Sequence, residues 1–167
     1  MGYFDGLTNA SFKKDKNGTT VFFPWGIFGK GRVLADEVAE AKVRAFVHRF
    51  YKVSVPTSIG VGVLFGWAWA FLLVAIFYGW YYAGTKPLIS GCSYSDDKLT
   101  LKEVYSNSAE GHSKVTLWLL FVGSVLLVLM GVFVATTGAM ILGLLAAAVF
   151  GATATAFGYM LKLKHGA

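Results

Sequence analysis

Residues 54–84 contain no Asp, Glu, Lys, Arg or His, and neither do residues 115–161. No feature constrains the fold more. A helix rising about 1.5 Å per residue needs about 20 apolar residues to cross a hydrocarbon core of about 30 Å. The first run, of roughly 30 residues, makes one long or tilted span and is too short for two complete crossings. The second, of roughly 47, would be about 70 Å long as one helix, so it is expected to fold back. Ala135-Thr136-Thr137-Gly138 is the turn, where β-branched residues meet a glycine. Spans are therefore expected near 57–82, 115–135 and 139–161. With 56% apolar and 14% charged residues, the chain does not read as a water-soluble or disordered domain.

The expected fold is an all-α integral membrane protein. Residues 1–35 form a hairpin and an aromatic, glycine-rich segment, and residues 36–53 a basic amphipathic interfacial helix. Residues 54–84 are the first transmembrane helix, 85–114 a polar extramembrane loop, 115–161 a transmembrane helical hairpin and 162–167 a basic tail. Lys16-Asn17-Gly18-Thr19 places Asn-Gly between apolar strands, the signature of a two-residue hairpin turn. Asp36 is the expected cap of the following helix, with Val43, Phe46, Val47 and Phe50 on one apolar stripe. Lys42, Arg44, Arg49 and Lys52 lie off or beside that stripe and are candidates for contact with lipid headgroups. Phe22, Phe23, Trp25 and Phe28 are costly to leave in water. They are expected either to anchor at the membrane surface or to dock a partner subunit. In the loop, Thr100-Leu101-Lys102-Glu103 is a capping box that opens a short helix near 101–108. Its acidic residues and His112 match no metal-binding spacing and read as a solvated loop.

Met1-Gly2-Tyr3-Phe4-Asp5-Gly6, followed by Val21-Phe22-Phe23-Pro24-Trp25-Gly26 and Gly29-Lys30-Gly31, resembles a group of small bacterial inner-membrane proteins. The resemblance covers about the first fifth of the chain. It implies a bacterial inner membrane and carries over no functional residue.

Small residues at helical spacing mark the candidate helix-packing or oligomer faces. They are Gly62, Gly66 and Ala70 in the first run, and Ala139, Gly143, Ala147, Gly151 and Thr155 in the second. Helices in lipid associate by close packing, which small residues permit. The rows serve either the packing of the chain's own helices or a seam between subunits. No ionisable side chain lies in the spans to relay protons or bind a coupling ion, which argues against an ion-coupled transporter acting alone. No nucleophile–base pair, metal constellation, cofactor fingerprint or nucleic-acid-binding pattern stands out, so the chain reads as non-enzymatic. The expected partners are the bilayer and other membrane subunits or copies of itself, and the expected function is an oligomeric scaffold or accessory subunit. Two alternatives remain open: a pore lined by Thr136, Thr137, Thr153 and Thr155, and a lipid or quinone site at Trp67 and Trp69. Nine Lys and Arg in residues 1–53 outweigh the six that follow. The positive-inside rule then puts the N-terminus in the cytoplasm, and three crossings put loop 85–114 and the C-terminus in the periplasm.

Overall fold

A computed structural model describes residues 2–16 and 18–165. In chain order the elements are α1 (Tyr3–Asn9), β1 (Phe12–Lys14), β2 (Thr20–Phe22), β3 (Arg32–Val33), α2 (Glu37–Phe65), α3 (Trp67–Ile89), α4 (Leu101–Gly111), α5 (Lys114–Thr136) and α6 (Met140–His165). Three stretches are long and apolar enough to cross a membrane: Ala68–Ile89, Lys114–Thr136 and Met140–His165. The number of candidate spans matches the expected three, but the first starts about ten residues later than expected, after a break at Gly66. The chain divides into two compact units, residues 7–104, and residues 105–165 with 2–6.

In the first unit, β1, β2 and β3 form an antiparallel sheet in that order, paired at Phe12–Phe22 and Val21–Val33. The β1–β2 hairpin is present, but its turn is longer than Asn-Gly alone implies. Asp15 and Thr19 pair through Asp15 N–H and Thr19 O at 2.9 Å, leaving three residues between them, and Gly18 has φ 81°. The Asp15 carboxylate takes the Thr19 N–H at 2.9 Å and sets this longer register. Asn17 itself lies outside the described residues.

Both faces of the sheet are covered. Phe12 and Phe22 pack with Leu34, with Val43 and Val47 of α2, and with Ile89 of α3. On the opposite face Val21 and Phe23 pack with Leu99. β2 is therefore buried at every residue, with Val21 and Phe22 filling opposite faces.

Asp36 caps α2, accepting the Ala39 N–H at 2.6 Å. The Val43/Phe46/Val47/Phe50 stripe forms as expected, yet it faces the protein. Val43 and Val47 are fully buried against the sheet and Ile89. Residues 36–53 are thus not a separate interfacial helix with a free apolar face. α2 runs on through Pro56 to Phe65.

The first uncharged run does not form one span. It breaks at Gly66, whose φ 94° and ψ 154° suit glycine and strain any residue bearing a Cβ. α2 and α3 fold back on each other around this point. Phe50 meets Tyr81 at 4.8 Å and Trp80 at 5.5 Å between ring centroids, and the Phe46 ring lies over Gly84. The four-residue spacing of Gly62, Gly66 and Ala70 is therefore not one helical row. Gly62 and Ala70 are buried on opposite arms, each four residues from the turn.

In the second unit α5 and α6 form the expected antiparallel hairpin, turning at Thr137 and Gly138, where the φ of Gly138 is 100°. Ser113 caps α5. Helices at the turn end approach through glycine: a Cβ on Gly131 would lie 2.8 Å from the Ala147 nitrogen. At the open end larger residues fill the seam, with Leu117, Met160 and Leu161 buried around Ala109 of α4.

Candidate functional site

The two candidate small-residue rows are used differently from the expected pattern. On α6, Gly143 and Ala147 lie in the seam against Gly131 and Ala135 of α5, whereas Gly151 has open space around its Cβ position and Thr155 is exposed. Ala139 is half-buried beside the turn. The seam continues instead through Ala154 and Leu161. A row of residues four apart rotates about 40° per step around an α-helix, so a straight i, i+4 row leaves a two-helix seam after two or three steps. Alternating steps of three and four keep the seam facing its partner.

The aromatic segment also divides. Phe22 and Phe23 are fully buried in the sheet core and are not docking residues. Trp25 is 39% exposed and stacks near Tyr78 and Tyr82 of α3, at 5.5 and 6.3 Å. Phe28 is 93% exposed and keeps the expected availability.

Of the four candidate headgroup cations, Lys42, Arg49 and Lys52 are exposed. Arg44 is engaged within the protein and is not a free headgroup contact. It donates to Glu40 at 2.6 Å and to Asn9 at 2.8 Å, and its guanidinium lies 4.1 Å from the Phe12 ring centroid. Burial works against the Glu40 charge, but hydrogen bonds from Thr20 and Arg44 outweigh it and hold the carboxyl below its usual value.

The loop residues do not converge on a metal-like cluster among the described residues. Glu103 closes the capping box with Thr100 at 2.8 Å and pairs with Lys13 at 3.1 Å. His112, expected on a solvated loop, is 1% exposed, with Nδ1 2.7 Å from the Ser108 carbonyl. The hydroxyls of Thr136, Thr137, Thr153 and Thr155 all donate to carbonyls of their own helices, between 2.7 and 2.9 Å. That is how threonine is satisfied in hydrocarbon, so these contacts lend no support to a pore lining. Trp69 is 59% exposed, and the Trp67 side chain lies outside the described residues.

A feature that the sequence reading missed lies in the first unit. A cleft of about 490 Å³ is bounded by Lys30, Arg32, Lys86, Trp25, Tyr82 and Tyr94, among others. Its lining contains no carboxylate, and none of its three cations is ion-paired among the described residues. The Arg32 guanidinium stacks 3.5 Å from the Tyr94 ring centroid and donates to the Cys92 carbonyl at 3.0 Å. Stacking and one hydrogen bond fix the plane of the guanidinium while leaving most of its five donors unused. Lys30 and Lys86 lie 5.9 and 5.8 Å from the centroids of Tyr94 and Tyr82. The Gly-Lys-Gly-Arg segment was visible in the sequence, but Lys86 is far along the chain and only the fold brings it alongside. No family model, curated protein or solved structure matches this chain.

Proposed function

We propose that this chain is a multi-pass, non-catalytic membrane protein that works by association, as an oligomeric scaffold or an accessory subunit of a larger inner-membrane complex. The observation that carries the reading is apolar exposure around the long helices. Leu119, Phe133, Ile141 and Leu142 are each between 68% and 71% exposed, on a pair of helices that already cover one another. A water-soluble monomer rarely exposes apolar surface on this scale, whereas lipid or a neighbouring subunit covers it without penalty.

The helix turns support a topology in which the charged segments share one side. An antiparallel α2–α3 pair returns the chain to the side it came from when α2, which is not itself one of the three apolar stretches, crosses alongside α3; the α5–α6 pair likewise returns to its own starting side. Between them, Asp96, Asp97, Lys98, Lys102, Glu103 and Glu110 keep the connection out of hydrocarbon. Arg49 and Lys52 lie beside Phe50, which packs against Trp80 and Tyr81, aromatic residues of the kind that settle at the headgroup boundary, where long cationic side chains snorkel. Within residues 7–104 the Lys and Arg then flank the α2–α3 pair on one side, and the opposite side receives the uncharged turn at Gly66. The positive-inside rule makes the charged side cytoplasmic. In this reading loop 85–114 lies on the same side as the N-terminal segment, unlike the periplasmic placement expected from an odd number of crossings.

For association, the uncovered part of α6 around Gly151 and Thr155 is the favoured face, since Gly143 and Ala147 are already used within the chain. Gly151→Leu should leave the helical content intact and shift the protein toward smaller species in subunit counting in lipid nanodiscs. A wild-type protein that is monomeric in native membranes and co-purifies with no companion would remove the reading.

A further inference from the structure

The three-cation cleft assigns this protein a function that its apolar helices do not require. We infer that the cleft formed by Lys30, Arg32 and Lys86 binds a phosphate group, and that the phosphate is the headgroup of an anionic phospholipid. The chemistry comes first. Three cations without a carboxylate face one cavity of about 490 Å³, ample for a phosphate with a glycerol attached. Arg32 is the anchor, because its plane is fixed against Tyr94 and by Cys92 O before any ligand arrives. A guanidinium held this way offers its free edge to two phosphate oxygens at once. Lys30 and Lys86 are both exposed and add mobile point charges to the same cleft.

Position identifies the source of the phosphate. Lys86 lies 20 residues beyond the turn at Gly66 on α3, about 30 Å along the helix axis, which matches a hydrocarbon core of about 30 Å. With the turn at the far boundary, Lys86 sits where the near headgroups begin. Tyr82, one helical turn earlier, and Trp25, stacked on it, are residues of the kind that settle at that boundary. A cleft lined by aromatic rings as well as cations suits a molecule with an acyl end and a phosphate end. The lipid assignment rests on the membrane reading above, whereas the phosphate site does not.

The test uses the full chain, purified and placed in nanodiscs containing equal phosphatidylglycerol and phosphatidylcholine. Lipid retained after controlled delipidation is identified by native mass spectrometry. The wild type should keep phosphatidylglycerol at least tenfold over phosphatidylcholine. Lys30→Gln with Lys86→Gln, both exposed and therefore compatible with folding, should lower that preference about tenfold. Lys98→Gln with Lys102→Gln, which removes the same net charge outside the cleft, should leave it unchanged. Arg32→Gln should abolish it, with circular dichroism checking that the helices remain. Equal retention of the two lipids by the wild type, or equal loss in the two double variants, overturns the proposal. A second arm titrates glycerol 3-phosphate into the protein in phosphatidylcholine alone. Saturable binding there without phosphatidylglycerol preference overturns the lipid as the source and assigns the cleft to a soluble phosphate ester. Alkaline extraction separates the remaining failure: release of the chain into water refutes the membrane reading, while the glycerol 3-phosphate arm still reads the cleft.

Discussion

Phe22 and Phe28 belong to one aromatic segment and have opposite fates, one fully buried and the other 93% exposed. Nothing local distinguishes them. Phe22 is the register partner of Phe12 in the sheet, while Phe28 ends a single turn of 3-10 helix that projects away. Phe22→Ala should destabilise the first unit by about 3–5 kcal/mol, because the cavity it leaves is lined by a packed core. Phe28→Ala should change stability by less than about 0.5 kcal/mol. Denaturant unfolding in detergent, followed by tryptophan fluorescence, compares the two. The acidic residues make a second residue-scale prediction. Glu103, like Glu40, is partly desolvated, but Thr100 and Lys13 hold its carboxyl below the usual 4.5. Groups whose carboxyls are depressed on folding stabilise above their ordinary titration range and lose that contribution as pH falls through the folded values. Stability should therefore be flat near neutrality and decline below about pH 4.5. Glu40→Gln with Glu103→Gln should flatten that acid limb in thermal unfolding curves.

Helices carry different amounts of information about their own limits. Asp36, Ser113 and the Thr100–Glu103 box all cap helices where the sequence placed or allowed a start, because a cap is satisfied by atoms within three residues. The α5–α6 turn was equally legible, since 47 uncharged residues exceed any single crossing. Gly66 was not. Residues 54–84 fit one tilted span by length, and a glycine four residues from Gly62 reads as packing until its positive φ is seen. Gly66→Ala should destabilise the α2–α3 hairpin by about 1–3 kcal/mol through backbone strain. Gly60→Ala, inside α2 with open space at its Cβ, should be neutral or mildly stabilising. Amide exchange in α3 measures both. The small-residue row on α6 teaches a related lesson. Residue types announce that helices approach closely, but which of them meet depends on the rotation of the row around the axis.

For the whole molecule, the break at Gly66 bears on every statement about sides. A single span over 54–84 would separate the N-terminal segment from loop 85–114; an antiparallel pair brings them back together. Cys92 is the one cysteine of the chain and follows α3 directly. A membrane-impermeant maleimide should label it in inverted membrane vesicles and fail to do so in intact spheroplasts. The reverse pattern would show that the connection lies outside and would refute the proposed topology.

The amino-acid order alone determined that long stretches of this chain are apolar enough for lipid, where helices are capped, and that residues 115–161 double back. Those outcomes depend on length, hydropathy and neighbours within a turn. Tertiary structure alone decided that Phe22 and Phe23 are core, that the stripe on α2 is turned inward, that Arg44 is spoken for, and that Lys30, Arg32 and Lys86 face a common space. Each of these depends on what lies across from a residue, and partners far apart along the chain leave no periodicity in it to read.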